Sequence, residues 1–575
     1  MDYMREYARW LDSAVISPEE RAELEGIRGN DSEIKSRFYA PLEFGTAGQR
    51  GVLGAGINRM NLHTVRQTTQ ALARLVCENG AEAMSAGVAV CFDCRMMSAA
   101  FAREAAMLLA GNGIKTYLFD AMRPTPEVSF AIRHLKCTAG INITASHNPK
   151  EYNGYKVYWS DGAQLPPAHA DVVARGLADI DVLSDYKSMP YDEGLRRGLI
   201  NIIGAEIDEA FLDRVLSQSV SREAVARAAD TFKVVYTPFH GTGYKLVPEI
   251  LRRIGLKHIL CEPEQMKPDG TFPTVKSPNP EDKAGFTAAI ELARRENVDL
   301  IIGTDPDADR VGIVLRTGSG DYVTLSGNQV GVLLLDYILT ARRAAGTLPE
   351  NAAVIKTVVT TEMARAVAVA NGVHIEDTFT GFKFIAERIK RFETEGKYKF
   401  IFGYEESYGY MAGDHCRDKD AVAASMLIAE MAACYSLNGV TLFEAMERLY
   451  EKYGFYGENT VNLVMQGLDG LERMKALMAR LRSEPPADVS GTPVVSVRDY
   501  LSGEYAERCS GKRHAMELSG SNVLQFDLKD GTKFIVRPSG TEPKIKVYVL
   551  TRGSTRAEAD ANVKKYTQAA AALGG

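Results

Sequence analysis

Residues 88–119 read VAVCFDCRMMSAAFAREAAMLLAGNGIKTYLF, and this stretch decides the fold class. Val88–Phe92 is a short apolar run of the kind that forms a buried strand. An alanine-rich helical pattern follows, with Ser98 as its predicted N-cap and Gly111-Asn112-Gly113 as its end. Ile114–Phe119 is a second apolar run. A strand, a helix and a strand at this short spacing predict a βαβ unit.

The same order of elements recurs twice further along the chain. The recurrences are Phe232–Tyr236, a helix from about Gly243 and His258–Cys261, then Ala352–Val359, a helix from Thr361 and Val373–Glu376. Repeated βαβ units predict α/β domains with largely parallel sheets, because parallel neighbours need a crossover connection.

The pattern changes after residue 453. An apolar helix is predicted around Gly470–Arg482, and strand-like runs separated by turn residues follow Pro485-Pro486. Such runs favour hairpins, so we expect a separate α+β domain at this end of the chain. A chain of 575 residues has room for about three to five domains. We place boundaries near residues 205, 322 and 455, which predicts domains at 1–205, 206–322, 323–455 and 456–575.

The composition and charge exclude several classes of protein. Hydrophobic residues make up 45% and charged residues 25%, as in ordinary globular proteins. The net charge of −6 argues against a broad nucleic-acid-binding face, which would be strongly basic. Neither a long apolar span nor a signal-peptide core is visible, so we expect a cytoplasmic protein that binds no membrane. No obligate protein partner is predicted.

Ser146 lies in the sequence Thr144-Ala145-Ser146-His147-Asn148-Pro149, directly after the apolar run Ile141-Asn142-Ile143. A serine just past the end of a strand lies where open α/β sheets bind their ligands. The alternative is a polar loop that turns at Asn148-Pro149. A Ser–His hydrolase is disfavoured, because no G-x-S-x-G motif surrounds Ser146 and neighbouring side chains on an extended backbone point apart. Ser146 is therefore a candidate nucleophile.

Asp305, Asp307 and Asp309 follow the strand-like run Leu300-Ile301-Ile302. Three carboxylates at alternating positions repel one another in a folded loop, and a bound cation would relieve that repulsion. Ligands that are all oxygens favour Mg²⁺, Mn²⁺ or Ca²⁺. An EF-hand is excluded, because arginines occupy the places that need its glycine and its last glutamate. The alternative is a solvated acidic turn.

Glu405 and Ser407 lie in the sequence GYEESYG at 403–409, after the apolar run Phe400-Ile401-Phe402. Residues two apart on an extended loop project to one side. A carboxylate that accepts and a hydroxyl that donates suit the neighbouring hydroxyls of a sugar. The adjacent Glu405 and Glu406 do not form a glycosidase pair, whose carboxylates flank one bond from opposite sides.

Arg537 opens the sequence RPSGTEP at 537–543, which leads into a strand-like run. Its guanidinium, the hydroxyls of Ser539 and Thr541, and the open backbone at Gly540 suit an anion, although an ordinary turn is the alternative. A candidate nucleophile, a cation loop, a polyol loop and an anion site together predict phosphoryl transfer on a sugar phosphate.

Taken in order, the four motifs resemble those of the α-D-phosphohexomutase family. Further stretches are similar to the same family at Phe44–Gly51, Asp93–Ser98 and Thr380–Lys383. The resemblance extends from about residue 40 to residue 550. It implies an α/β protein of four domains around a central cleft. The first three would share a related mixed α/β-sheet fold, and the fourth would be a smaller α+β domain that closes over the substrate.

The resemblance also implies a role for each motif. Ser146 resembles the family's phosphoserine, whose phosphate would complete a Mg²⁺ site formed by Asp305, Asp307 and Asp309. Glucose 1,6-bisphosphate would be the activator and intermediate. The residues similar to the sugar-recognition loops are Thr380, Gly381, Glu405 and Ser407. Those similar to the site of the non-reacting phosphate are Arg537, Ser539, Gly540 and Thr541. Arg50 and Arg310 would line the cleft near the phosphoserine.

The loop Glu405-Glu406-Ser407-Tyr408-Gly409 is similar to the glucose branch of the family. This implies interconversion of glucose 1-phosphate and glucose 6-phosphate, with a small-molecule sugar phosphate as the partner. Other branches carry a histidine where this chain has Gly409, so no base is available there. Lys419 matches a lysine proposed as general acid and base, which requires that its pKa is lowered by the cationic site. The alternative is a surface lysine in a charged loop.

Other substrates stay open. Phe272–Val275 and Pro278-Asn279-Pro280 resemble a subgroup that includes phosphopentomutases and glucose 1,6-bisphosphate synthases. A phosphomannomutase, a net phosphatase and a non-catalytic sugar-phosphate sensor are further alternatives. The sensor is disfavoured, because it would not need to keep Ser146.

Overall fold

A computed structural model of the chain describes residues 2–45, 48–465, 470–539 and 544–573. Within these residues, four sheets follow one another along the chain. No helix of the described ranges combines the length and the apolar composition needed to cross a bilayer. The domain boundaries near residues 205, 322 and 455 stay predictions.

The first sheet consists of β1 (Gly48–Val52), β2 (Val88–Phe92), β3 (Thr116–Phe119), β4 (Ala139–Ile143), β5 (Tyr152–Trp159) and β6 (Ile200–Ile203). Its helices are α1 (Tyr3–Asp12), α2 (Pro18–Gly26), α3 (Asp31–Phe38), α4 (Leu62–Glu78), α5 (Gly80–Ala86), α6 (Ser98–Gly111), α7 (Thr125–His134), α8 (Pro167–Ala178) and α9 (Tyr191–Arg196). The strand order is β1-β5-β4-β2-β3-β6. Strand β5 is antiparallel to both of its neighbours, and the other pairs are parallel.

The second sheet follows α10 (Ala205–Leu216) and α11 (Arg222–Ala228). Its strands are β7 (Lys233–Thr237), β8 (His258–Cys261), β9 (Leu300–Thr304), β10 (Val311–Arg316) and β11 (Tyr322–Thr324). They are ordered β11-β10-β9-β7-β8, with β9 and β11 antiparallel to β10. Its other helices are α12 (Gly243–Arg253), α13 (Thr287–Glu296) and a 3₁₀ turn at Lys283–Phe286.

The third sheet consists of β12 (Ala352–Thr357), β13 (His374–Thr378), β14 (Lys399–Glu405) and β15 (Gly409–Ala412). The strand order is β13-β12-β14-β15, and only the β14–β15 pair is antiparallel among these described strands. The helices are α14 (Gly327–Ala344), α15 (Met363–Ala370), α16 (Phe382–Glu395), α17 (Ala421–Ser436) and α18 (Leu442–Tyr453).

The fourth sheet is antiparallel in the part that the structure describes. Its strands are β16 (Phe455–Val464), β17 (Asp488–Val489), β18 (Thr492–Asp499), β19 (Glu504–Glu507), β20 (Arg513–Ala515), β21 (Leu524–Leu528), β22 (Lys533–Pro538) and β23 (Lys544–Gly553). They are ordered β16-β23-β22-β21-β18-β19-β20, with β17 paired to β18. The helices α19 (Gly470–Ser483) and α20 (Arg556–Ala572) complete the predicted α+β domain.

The first three sheets share one arrangement. Each has parallel strands joined by helices, and each ends one parallel strand in a hairpin with an antiparallel neighbour: β4–β5, β9–β10 and β14–β15. The βαβ prediction is therefore confirmed. Parallel pairs remain the majority over the three sheets together, but these hairpins were not predicted, because βαβ periodicity does not reveal a strand that returns through a short loop.

Two of the predicted strands are placed accurately, one buried and one partly exposed. Val88–Phe92 and His258–Cys261 form strands with the predicted bounds. The predicted N-cap of α6 is one residue too late. Met97 occupies that place with a φ of 68°, and the Ser98 hydroxyl donates to Asp93 Oδ1 at 2.7 Å instead.

The first three domains share one hydrophobic core cluster, and the fourth domain has a cluster of its own. One continuous cluster of buried side chains extends through the first three sheets, from Ala89 to Tyr450. Helix α17 lies within it and is apolar around its whole circumference, as expected of a helix buried on all sides. The fourth sheet has its own cluster, from Leu463 to Ala570. A smaller cluster joins Phe379 of the third domain to Tyr500 of the fourth.

Candidate active site

All four sequence motifs lie at β-hairpin loops. Ser146 lies between β4 and β5, and the three aspartates lie between β9 and β10. Glu405 ends β14 and Ser407 precedes β15, while Arg537 lies near the end of β22, before the return strand β23. The first three motifs thus occupy equivalent places in three related sheets. This equivalence brings chemically different loops to one common region.

Ser146 contacts the aspartate loop directly. Its Oγ donates a hydrogen bond to Asp305 Oδ2 at 2.7 Å and lies 3.1 Å from His147 Nδ1. The residue is only 3% exposed and has a φ of 51°, a strained conformation for a serine. Its backbone N–H donates to Thr144 Oγ1 at 2.8 Å. The backbone is therefore not extended here, and the expectation that the Ser146 and His147 side chains point apart is wrong.

Arg95 holds the Ser146 loop in this conformation, and the sequence analysis assigned it no role. Its buried guanidinium donates to the carbonyl oxygens of Ser146 at 2.6 Å, Asn148 at 2.5 Å, Pro149 at 2.9 Å and Tyr152 at 3.0 Å. Such a planar fork of donors can satisfy several carbonyls at once. Its position in the sequence could have indicated this role. Arg95 follows β2, the parallel neighbour of β4, so Arg95 and the Ser146 loop lie at the same edge of the sheet.

The aspartate loop is fixed by backbone hydrogen bonds from all three α/β domains. Thr125 N–H donates to the Asp307 carbonyl at 2.8 Å, and Thr242 N–H donates to the Pro306 carbonyl at 2.8 Å. Ala421 N–H, at the start of α17, donates to the Ala308 carbonyl at 3.2 Å. The loop is therefore held at the centre of the assembled domains.

The three carboxylates form a compact group of buried oxygen ligands. One ligand atom from each of Asp305, Asp307 and Asp309 lies within 4.8 Å of those of the other two. Burial and the neighbouring carboxylates raise the pKa of Asp305 well above its usual value. Within the described residues, Asp307 Oδ1 and Asp309 Oδ1 are buried without a hydrogen-bond partner. Unpaired buried acceptors fit a bound oxygen-seeking cation such as Mg²⁺.

Two lysines partly neutralise this group. Lys156 Nζ lies 2.8 Å from Asp307 Oδ2, and Lys419 Nζ lies 2.9 Å from Asp309 Oδ2. Burial acts to raise the pKa of Asp307, but the Lys156 ammonium, together with hydrogen bonds from Thr125 and Asp305, outweighs it and lowers that pKa. Lys156 was not predicted from the sequence, because a lysine within the run Tyr152–Trp159 carries no motif of its own.

Lys419 is a buried member of the site, so the alternative of a surface lysine is wrong. Its pKa is not lowered in this structure, and the lowering by a cationic site stays a prediction. Burial acts in that direction, but the carboxylates of Asp309 and Asp418 outweigh it and raise the pKa. Asp418 Oδ1 lies 3.3 Å from the ammonium. The lysine is therefore held as a cation beside the aspartate loop.

Arg50 and Arg310 lie near the Ser146 loop, as the resemblance implied. Arg50 Nη1 donates to Asn148 Oδ1 at 3.0 Å. Arg310 lies beside the aspartate loop, with Nη1 3.1 Å from Glu281 Oε1. Together with burial, the two guanidinium groups lower the pKa of His147 well below its usual value. The two arginines thus add positive charge close to the Ser146 hydroxyl, which suits an anionic group there.

The two predicted sugar-recognition loops meet. Gly381 N–H donates to Glu405 Oε1 at 2.6 Å. Gly381 has a φ of 122°, which a residue with a side chain rarely adopts. The Thr380 hydroxyl is buried without a hydrogen-bond partner in the described part of the chain, so it is free for a ligand. Ser407 is partly exposed on the same loop as Glu405.

Arg537 and Ser539 lie on the fourth domain. Arg537 is partly buried and its Nη1 donates to Tyr548 Oη at 3.4 Å. Ser539 N–H donates to the Lys544 carbonyl at 2.8 Å, which closes the hairpin. Gly540 and Thr541, predicted for the same phosphate site, lie outside the described residues.

Glu406 links the third and fourth domains electrostatically. Burial and the neighbouring Glu405 raise its pKa to about 7, against the opposing charges of Lys546 and Arg537. Because those cations belong to the fourth domain, the Arg537 hairpin lies within electrostatic range of the loop that carries Glu405 and Glu406.

Comparisons with known proteins agree with this arrangement. Family models for phosphoglucomutase/phosphomannomutase alpha/beta/alpha domains I, II and III match residues 41–182, 209–318 and 326–453, and the C-terminal domain model matches 490–563. The phosphoglucomutases of Staphylococcus saprophyticus and Staphylococcus aureus are both 36% identical to the chain. Each alignment covers 90% of this chain, and 92% and 91% of the respective relative.

Two solved structures show the same fold. A putative phosphomannomutase from Thermus thermophilus has a TM-score of 0.67 at 22% identity, covering 93% of this chain and 99% of that one. The open form of parafusin, a phosphoglucomutase from Paramecium, has a TM-score of 0.67 at 18% identity, covering 93% and 94%. The predicted four-domain architecture is confirmed.

Proposed function

The chain belongs to the phosphoglucomutase/phosphomannomutase family, and we propose that it interconverts glucose 1-phosphate and glucose 6-phosphate through a phosphorylated Ser146. The observation that carries this proposal is the hydrogen bond of 2.7 Å between Ser146 Oγ and the aspartate loop. It supports the proposal because the candidate nucleophile contacts the candidate cation site, next to loops that suit a sugar. The relatives' shared name, phosphoglucomutase, supports glucose as the substrate.

The proposed reaction moves one phosphoryl group to the sugar and one back. The bond between phosphorus and Ser146 Oγ breaks while a bond forms to the free hydroxyl oxygen of the sugar, which loses its proton. Ser146 Oγ takes up a proton, and glucose 1,6-bisphosphate results. After the bisphosphate reorients, its other phosphoryl group returns to Ser146 by the reverse step. In-line positioning and electrostatic stabilisation do most of the catalytic work in such transfers.

Asp305, Asp307 and Asp309 would hold Mg²⁺ together with a phosphate oxygen on Ser146. When bound, the ion would neutralise charge on the phosphoryl group in flight. The unpaired Oδ1 atoms of Asp307 and Asp309 support this assignment. Lys156 and Lys419 then keep the buried carboxylates oriented, since Lys156 contacts Oδ2 of both Asp307 and Asp309, and Lys419 contacts Oδ2 of Asp309.

The two ends of the substrate would be bound by different loops. We assign the sugar hydroxyls to Thr380, Gly381, Glu405 and Ser407, and the non-reacting phosphate to Arg537, Ser539, Gly540 and Thr541. Arg50 and Arg310 would contact the phosphate at Ser146. The separate core of the fourth domain supports a role in admitting both orientations of the bisphosphate.

Lys419 is the proposed proton carrier for the sugar hydroxyl. As an ammonium beside Asp309, it can donate a proton to a leaving oxygen. Removal of a proton in the opposite direction requires its neutral form, and the identity of that base stays a prediction. A cytoplasmic location and the absence of an obligate protein partner also stay predictions.

The substrate assignment is tested by turnover of glucose 1-phosphate against ribose 1-phosphate, with Mg²⁺ and trace glucose 1,6-bisphosphate. We expect kcat/KM to favour glucose by more than about tenfold, a transition-state preference of about 1.4 kcal/mol. A ratio that favours ribose would keep the mechanism but make the protein a phosphopentomutase. Preference for mannose 1-phosphate would indicate a phosphomannomutase, and net accumulation of the bisphosphate a glucose 1,6-bisphosphate synthase.

A further inference from the structure

The aliphatic stem of Lys419 crosses the β14–β15 hairpin at Gly409. A Cβ atom built on Gly409 would lie 2.1 Å from Lys419 Cδ, 2.7 Å from Cγ and 3.5 Å from Cε. Non-bonded carbon atoms are at their optimal separation at about 3.5–4.0 Å, so the two nearer contacts would be severe clashes. With Lys419 in its observed position, residue 409 has no room for any side chain.

Glycine is needed at position 409 because a side chain there would clash with Lys419, and not because the backbone conformation requires glycine. The φ of Gly409 lies outside the left-handed region, unlike that of Tyr408 at 65°. Gly409 pairs with Glu405 as a regular part of the antiparallel ladder. An L-residue would therefore be tolerated by this strand if Lys419 were elsewhere.

Lys419 cannot easily give way, because its backbone is fixed immediately afterwards. Asp420 caps α17 by accepting hydrogen bonds from Val422 N–H and Ala423 N–H, both at 2.9 Å. Asp420 N–H in turn donates to the Tyr410 carbonyl of β15 at 2.8 Å. At the other end, the Lys419 ammonium is fixed 2.9 Å from Asp309 Oδ2. A side chain at 409 would have to displace the middle of a stem that is anchored at both ends.

We infer that Gly409 is a positioning residue: by lacking a side chain, it provides the channel through which Lys419 reaches the aspartate loop. The hairpin thereby carries two functions at one cross-strand pair, with Glu405 assigned to the sugar site and Gly409 admitting the lysine. The catalytic consequence rests on the proposed function, but the steric coupling between Gly409 and Lys419 does not.

A double-mutant cycle in urea tests the steric coupling without any assay of activity. The variants are Gly409→Ala, Lys419→Ala and Lys419→Met, singly and combined, with Gly318→Ala as the control because a Cβ at Gly318 meets nothing within 4 Å. We expect Gly409→Ala to lower the unfolding midpoint in the wild-type and Lys419→Met backgrounds, which both keep the long stem. In the Lys419→Ala background, the same change should shift the midpoint far less. Equal shifts in all three backgrounds would overturn the inference.

Steady-state kinetics test the positioning role. We expect Gly409→Ala to lower kcat at least about tenfold, in the range typical of lost proton transfer, while KM for glucose 1-phosphate changes less than about twofold. The double variant Gly409→Ala/Lys419→Ala should be no slower than Lys419→Ala alone. The positioning role would be contradicted if the losses of kcat from the two single substitutions multiplied in the double variant. It would also be contradicted if Gly409→Ala turned over substrate at the wild-type rate. A wild-type protein that does not turn over glucose 1-phosphate would refute the proposed function, while the urea cycle would still decide the inference.

Discussion

The aspartate loop and the Arg537 hairpin are both β-hairpin loops, yet the protein holds them very differently. The aspartate loop receives backbone hydrogen bonds from Thr125, Thr242 and Ala421, and its three carboxylates are buried. Arg537 is only partly buried, and its described hydrogen bond goes to Tyr548 of its own domain. The first loop belongs to the core shared by three domains, and the second belongs to a domain with a separate core.

The two loops, which differ in how firmly they are held, suit two different requirements of the proposed reaction. The phosphoryl group must pass between fixed groups, because small displacements of reacting atoms slow a transfer strongly. The non-reacting phosphate must instead be bound in two orientations of the substrate. A contact between the third domain and a fourth domain that has its own core suits this second task. It includes the small Phe379–Tyr500 cluster and ion pairs such as Glu362 with Lys533 at 2.9 Å.

The largest effect should follow from removing Ser146, the proposed nucleophile that contacts the aspartate loop. Ser146→Ala should lower kcat by about 10⁴-fold or more, as for other essential nucleophiles. Turnover of glucose 1-phosphate measures this, with Ser184→Ala at an exposed position as the control. Near-normal turnover by Ser146→Ala would show that Ser146 is not the nucleophile.

The next effect concerns the cation site. Asp307→Asn keeps the size of the side chain but removes a charge and leaves Lys156 without its closest partner. We expect weaker Mg²⁺ binding by about 10–100-fold and a matching loss of activity at low Mg²⁺. Calorimetric titration and a Mg²⁺ dependence of turnover measure both quantities. Asp321→Asn, an exposed residue of the same domain, should leave them unchanged, and an unaltered affinity in Asp307→Asn would argue against this metal site.

Arg95→Lys tests how strictly the nucleophile loop is held. One ammonium cannot replace a guanidinium that donates to four carbonyl oxygens. The Ser146 carbonyl is buried, and leaving such a group unsatisfied costs about 1–3 kcal/mol. We expect kcat to fall about 10–100-fold through misplacement of Ser146. Rapid-quench measurement of Ser146 phosphorylation by glucose 1,6-bisphosphate gives the rate directly. Arg103→Lys, at an exposed site on α6, is the control, and equal rates for both variants would remove Arg95 from the account.

The smallest effect should appear where the third and fourth domains meet. Glu406 has a pKa raised from 4.5 to about 7, so the wild type loses stability as the pH rises through this interval and the buried carboxyl ionises. Glu406→Gln avoids that loss. Its free energy of unfolding relative to wild type should therefore increase between about pH 5 and pH 8, by on the order of 2 kcal/mol.

Urea unfolding at the two pH values, without substrate or Mg²⁺, measures this difference. The exposed Glu350→Gln should show no such pH dependence. If Glu406→Gln also shows none, the carboxyl is better solvated than its position between Glu405 and the fourth domain indicates.

The sequence contains the chemistry of the site in four short motifs, because the motifs adjoin apolar strands and their residue types are rare in that combination. Ser146 and the three aspartates lie together as that interpretation required. The hairpin after each parallel strand was not predicted. The turn noted at Asn148-Pro149 does not by itself show that the chain returns as an antiparallel strand, and Asn153-Gly154 lies within β5 and not in the loop before it.

What the sequence could not supply depends on long-range contacts. Arg95 and Lys156 act through carbonyl and carboxylate groups that are distant in the chain, so neither belongs to a local pattern. The surroundings of Lys419 were not visible either, because the carboxylates of Asp309, Asp418 and Glu405 that raise its pKa against burial come from other parts of the chain or follow no motif with it. The role of Gly409 emerges only when the path of the Lys419 side chain is known.

The central claim is that Ser146 carries the transferred phosphoryl group, and peptide mass spectrometry tests it most directly. After incubation with glucose 1,6-bisphosphate, the Ser146 peptide should carry one phosphoryl group, which excess glucose 1-phosphate or glucose 6-phosphate should then remove. We expect both the phosphorylation of Ser146 by glucose 1,6-bisphosphate and the removal of that phosphoryl group by the sugar phosphate. A protein that turns over substrate while the Ser146 peptide stays unmodified, or one whose phosphate is not discharged by either sugar phosphate, would contradict the central claim.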